Sequence, residues 1–167
     1  MKSSTGHPYF RVGIGQKSHR FLPPDSAKPC LIAGLIFDDV PGLASESDGD
    51  IVFHAICNAI TSLTGVTILG GIASELYEKD GITDSQVYVE KALKTLGEQK
   101  IVHLALAIEG KRPRFQERVL AMRERIALVM DLHIEQVGIT MTSGDGLTDC
   151  GCGDGLHCLC TITTREL

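Results

Sequence analysis

Glycine alternates with apolar residues in "RVGIGQ" (11–16), which predicts a strand over residues 9–16 that leaves the core as Lys17, Ser18 and His19 follow. "CLIAGLIF" (30–37) reads as a further strand or hairpin arm turning near Gly34, and "DDVPGLASESDGD" (38–50) as a loop. The apolar run from Ile51 predicts a helix over 47–65, capped by Ser47 or Asp48, with acids in its first turn and Gly65 at its end. Residues 70–82 read as an irregular connection. Asp84 is placed to cap a second helix over 85–98. "KIVHLALAIEG" (100–110) is nearly all apolar and predicts a strand buried on both faces. Residues 112–132 predict a third helix with Pro113 in its first turn and a core stripe of Phe115, Val119, Met122, Ile126 and Val129. The last strands, 135–143 and 157–164, flank a glycine-rich loop. This order implies an α/β sandwich: one mixed β-sheet covered by helices on one face. Residues 1–8 read as a loose tail, and 9–167 as one domain.

Composition adjusts this picture in three ways. The chain has no tryptophan, three tyrosines and five phenylalanines, so its core rests on Ile, Leu, Val and Ala. The net charge of -5 disfavours nucleic acid or an anionic membrane as a global partner, and leaves room for a local basic pocket. No segment reaches the ~20 apolar residues of a membrane span. The start, "MKSSTGHPYF", lacks the apolar run of a secretory signal, so a cytoplasmic protein with reduced or metal-bound cysteines is expected.

Chemistry-bearing residues gather in a few places. Asp50, His54 and Asn58 recur every fourth residue and share one helix face. A histidine among so many apolar neighbours is either a satisfied core histidine or a ligand. His19 lies at a strand end. Cys150, Cys152, Cys158 and Cys160 form two Cys-x-Cys pairs, readable as a structural metal site or, for the second pair, as small apolar residues on one sheet face. Lys111, Arg112 and Arg114, at a loop and helix start, suit a phosphate.

"SDGDIVFHAICNA" (47–59) resembles the zinc-site helix of the 2-C-methyl-D-erythritol 2,4-cyclodiphosphate synthase family. "GIGQKSHRF" (13–21) resembles that family's first strand, and "TDS" (83–85) its next helix start. Pro113-Arg114-Phe115 with Met122-Arg123, and "TSGDGLTDCGCGDG" (142–155), resemble its later motifs. The resemblance spans roughly residues 10–164 in order. It implies a bacterial homotrimer with active sites between subunits, a CMP-releasing lyase of non-mevalonate isoprenoid biosynthesis. The substrate is 4-diphosphocytidyl-2-C-methyl-D-erythritol 2-phosphate and the product its cyclic diphosphate. The implied cofactors are zinc, one per chain, and magnesium or manganese.

Carried over by position, His19 and His54 match zinc ligands, and Asp145 matches the carboxylate for the second cation. Ser47, Thr142, Ser143 and Asp145 match the catalytic, phosphate-side positions. Glu46, Ser47, Gly70, Pro113, Arg114, Phe115, Met141, Thr142 and Ser143 match substrate- and nucleotide-binding positions. Lys17 stands where the family has its third zinc ligand, an aspartate, and Glu46 where it has a histidine. An ammonium has no lone pair for a metal. Three readings follow. Zinc is held by His19, His54 and Glu46 or substrate oxygens, with Glu46 also free to pair with Lys17. Or the Lys17 ammonium binds the diphosphate without zinc. Or the protein is an impaired trimer that binds a nucleotide or an isoprenoid-like ligand.

Overall fold

A computed structural model describes residues 9–166; the sequence-predicted tail, 1–8, lies outside the described residues. The main sheet has four strands in the order β1 (Tyr9–Arg20), β6 (Gly155–Glu166), β4 (Lys100–Glu109), β5 (Val137–Thr142). β6 runs antiparallel to both neighbours, and β4 and β5 are parallel, so the sheet is mixed as expected. The expected arm at 30–37 is a separate two-stranded hairpin, β2 (Cys30–Ile32) and β3 (Leu35–Phe37), turning at Ala33 and Gly34. β1 continues past residue 16 to Arg20, because Lys17, Ser18 and His19 keep their register with β6 whatever their side chains.

Helices α1 (Ile51–Thr64), α2 (Ala73–Asp80), α3 (Ser85–Lys94) and α4 (Val119–Met130) follow, with a short turn of helix, α5 (Asp149–Cys152), before β6. α1 packs on β1 and β6, α4 on β5, and α3 lies against both helices. The alternation in β1 is thereby explained. Gly13 and Gly15 face α1, while Val12 and Ile14 point to the uncovered face, 68% and 58% exposed. Along β4, Leu104, Leu106 and Ile108 are buried against the helices, while Ala105 and Ala107 are half-buried on the other face. The expected burial on both faces of β4 therefore does not hold within one chain.

The helices differ from expectation at four points. α1 starts at Ile51 and is capped by Asp50, not by Ser47 or Asp48, and no acid sits in its first turn. The Asp50 carboxylate accepts from the backbone N–H groups of Val52 and Phe53 and also of Ala33 and Gly34, tying the hairpin to the helix. The stretch read as irregular holds a wide turn, Ile68–Ile72, and then α2. Pro113 lies outside α4, which begins at Val119 after a short 3-10 turn, Gln116–Arg118; Phe115, Met122 and Ile126 are nonetheless core. Asp84 caps α3 as expected, through Gln86 N–H, but α3 ends at Lys94. Among the described residues no single helix is long and apolar enough to cross a membrane.

Candidate active site

Two cavities contain most of the sequence-predicted residues, and they share no lining residue. The first, about 150 Å³, lies where β1 clears the start of α1, and Lys17, Glu46, Ser47, His54 and Gly70 line it. His54 is buried at its floor. Its Nδ1 lies 3.1 Å from His19 Nε2, so these two residues, 35 apart in sequence, do come together. The other ring nitrogen, Nε2, lies 3.1 Å from Ser47 Oγ and 2.9 Å from Ser85 Oγ.

Ser85 sets the tautomer of His54. The Ser85 hydroxyl donates to Asp48, and the Ser85 backbone N–H donates to the same carboxylate at 2.8 Å. With its proton committed, the Ser85 oxygen accepts from His54 Nε2–H. Nδ1 then carries the lone pair and faces His19. Asp48 is itself placed by its N–H bond to the Thr83 carbonyl, and Ser85 by the Asp84 cap of α3. Neither Asp48 nor Ser85 was singled out from sequence as a supporting residue; the "TDS" match was the available signal.

Burial holds the His54 imidazole down to about 3, with His19, Lys17 and Lys28 adding to the effect. His19 is lowered to about 4 by burial first, then by Lys17 and Lys28, against an opposing backbone hydrogen bond at Ala44 and the Asp48 charge. Both rings are therefore neutral at pH 7. As pH falls from about 6.5, the unfolded chain takes up protons that the folded rings refuse, so stability drops until the folded values are reached. Asp50, raised to about 6 by burial, acts in the opposite direction between about 4 and 6. It is common to wild type and a His19→Gln variant, so it cancels between them. Urea titrations from pH 7 to pH 4.5 will show a shallower loss of stability in His19→Gln; parallel curves would contradict the assignment.

The second cavity, about 790 Å³, opens at the C-terminal ends of the parallel strands β4 and β5. Lys111, Pro113, Arg114, Phe115, Met141, Thr142 and Ser143 line it, so the residues matched to nucleotide-binding positions after β4 share one cavity. Gly110 N–H donates to the Thr142 carbonyl at 3.0 Å, closing the floor between the strand ends. Ser143 Oγ donates to Asp145 at 3.0 Å, and both residues are exposed. Asp145 lines neither cavity and is held on the Ser143 side. Arg112 is turned away, stacked over Phe21 and bonded to the Gly153 carbonyl.

Two alternatives left open by the sequence are decided. Among the described residues Glu46 forms no ion pair with Lys17. For the cysteines the apolar reading of the second pair holds: Cys158 and Cys160 are buried under α1 on the covered sheet face, while Cys150 is half-buried and Cys152 exposed. Among the described residues no group of three or more His, Cys, Asp or Glu side chains forms a metal site. His19 and His54 offer two nitrogens, whereas a zinc site with an open position takes three protein ligands, and the neighbouring Lys17 repels a cation. The residues present therefore do not fit a resident zinc of that kind. Ser143 and Asp145 supply oxygen donors of the type magnesium or manganese takes.

The model of the YgbB family matches residues 10–165. The chain is 56% identical over 158 residues to the 2-C-methyl-D-erythritol 2,4-cyclodiphosphate synthase of Chlamydia caviae, covering 94% of this chain and 90% of that protein. It is 52% identical over 158 residues to the synthase of Chlamydia muridarum, covering 94% and 89%. In fold it is similar to the Plasmodium falciparum IspF CDP complex, with a TM-score of 0.79 at 19% identity, covering 94% of this chain and 96% of that one. It also matches the bifunctional IspDF of Campylobacter jejuni, with a TM-score of 0.86 at 21% identity, over 96% of this chain and 43% of that one.

Proposed function

The chain belongs to the YgbB family of 2-C-methyl-D-erythritol 2,4-cyclodiphosphate synthases, and from that premise we propose how its two cavities divide the reaction. The activity is a phosphorus–oxygen lyase reaction of non-mevalonate isoprenoid biosynthesis, which forms the cyclic diphosphate and releases CMP. The observation that carries our division is the separation of the residues: His19, His54 and Ser47 at one cavity, Arg114, Thr142 and Ser143 at the other.

The larger cavity takes the cytidine diphosphate end of the substrate. Lys111 and Arg114 face its phosphates, and Phe115, Met141 and Pro113 supply apolar wall. Ser143 and Asp145 would hold a magnesium or manganese ion, which neutralises phosphate charge when bound. The smaller cavity, with Ser47, Glu46 and Gly70 at its rim, takes the methylerythritol phosphate end. An oxygen of the 2-phosphate attacks the β-phosphorus. The bond from that phosphorus to the bridging oxygen breaks, and CMP leaves with the electron pair. The protein's part is to hold the two phosphates in line and offset their charge. Enzymes of this family typically bind zinc. His19 and His54 alone do not hold one, because among the described residues a third protein donor is absent.

Because the two cavities share no residue, we place the complete site between subunits of a cytoplasmic homotrimer. The sheet face away from the helices supports this: Phe10, Val12 and Ile14 are all more than half exposed there, beside half-buried Ala105 and Ala107. Such a face is buried by association. The test is complementation. Arg114→Ala and His54→Ala homotrimers will each lose CMP release at least about tenfold. Trimers refolded from an equal mixture will recover activity at roughly a quarter of their sites, those that combine two intact halves. Mixed trimers no better than the parents would place both halves in one chain.

A further inference from the structure

We infer that the Lys17 ammonium is the resident cation of the smaller cavity, binding a substrate phosphate directly in place of a metal ion. The identity of that phosphate rests on the function proposed above; the anion site itself rests on geometry.

The alternation of β1 places Lys17 on the same face as Gly13, Gly15 and His19, opposite the buried Cys158 of β6. The two glycines lie under α1, and Lys17 emerges where the strand passes the helix start, half-buried and lining the cavity with Ser47 and His54. Among the described residues its ammonium has no hydrogen-bond or ion-pair partner. Lys28, by contrast, is fully engaged: its Nζ donates to the Ser45 carbonyl at 2.8 Å and the Ser47 carbonyl at 2.6 Å, bracing the loop before α1. A partly desolvated ammonium that no carboxylate pairs, Glu46 of the same cavity included, is offset by an anion from solution.

The neighbouring groups fall short of a metal site. His19 Nε2 and His54 Nδ1 face each other at 3.1 Å, and among the described residues no third metal donor joins them. A lysine beside phosphoryl oxygens acts as a compact point charge with three donors. Loops on both sides, at Ser47 and Gly70, leave the ammonium accessible from the cavity.

The test uses inorganic pyrophosphate as the probe, in chelator-treated buffer. The full chain carries Lys111→Ala and Arg114→Ala throughout, so that the other cavity does not contribute. Lys17→Met keeps the side-chain length and removes the charge. Calorimetry is expected to show pyrophosphate binding weakened about tenfold by Lys17→Met and largely retained in Lys17→Arg. Metal analysis of the purified wild-type protein is expected to find far less than one zinc per chain, and Lys17→Asp, which restores a third donor, is expected to acquire about one. Unchanged pyrophosphate affinity in Lys17→Met, or a full zinc complement retained by wild type through dialysis, would overturn the inference. CMP release by wild type is scored separately. Its absence with the pyrophosphate response intact counts against the proposed function and leaves the anion site standing.

Discussion

A Gly15→Ala chain will lose about 3 kcal/mol of stability or more, and much of it will be recovered as insoluble protein. A Cβ built at Gly15 would lie 2.2 Å from the Ala59 backbone nitrogen and 2.4 Å from the Ala55 carbonyl oxygen. Both are backbone atoms in the middle of α1, so no rotamer change relieves the contact. The helix must lift from β1, which opens the seam lined by Ile56, Ile60 and Leu63 and separates His54 from His19. Urea unfolding of the soluble fraction gives the measurement. A midpoint close to that of wild type would mean that α1 and β1 are not packed this tightly.

Asp50→Asn is the second large effect, a loss of about 3 kcal/mol with the fold retained at low temperature. The side chain is fully buried, and its two oxygens accept four backbone N–H groups: Oδ1 from Ala33, Val52 and Phe53, Oδ2 from Gly34 at 2.6 Å. Burial raises its pKa to about 6 against these bonds, so at pH 7 it is ionised. Asparagine removes the charge and turns an NH₂ group toward one of the donors, leaving a buried N–H without a partner. Below about pH 5 the difference from wild type will narrow, because the wild-type carboxyl is itself protonated there. Thermal melts at pH 7.5 and pH 5 are the check, and a difference independent of pH would contradict an ionised cap.

Why some of this was readable and some not follows from where each interaction closes. The helix over α1, its end at Gly65 and the Asp84 cap of α3 depend on neighbours in sequence, and local pattern exposes them. The Asp50 cap was misassigned to Ser47 or Asp48 because its choice is settled by the hairpin turn at Ala33 and Gly34, which sequence does not place beside it. β1 was cut short at residue 16 because polar side chains hide a backbone ladder that continues to Arg20. Its alternation of glycine with apolar residues was read as a strand without assigning its faces; the glycines are the surface on which α1 sits, and the apolar Val12 and Ile14 face outward.

The two histidines and the Thr142-Ser143 pair were legible because a family motif marks them. The bridge from Asp48 through Ser85 to His54 was not, since it needs the start of α3 folded against the start of α1. The absence of an ion pair between Glu46 and Lys17 is equally a matter of loop geometry. The four late cysteines divide in the same way: Cys158 and Cys160 lie in β6 on the face under α1, as strand spacing suggested, while Cys150 and Cys152 lie in α5.

The most direct measurement is CMP release from 4-diphosphocytidyl-2-C-methyl-D-erythritol 2-phosphate by the purified protein with magnesium present. Product analysis should run alongside for the cyclic diphosphate. CMP and cyclic diphosphate are expected in equal amounts. A folded protein that binds CDP and yields neither product would contradict it.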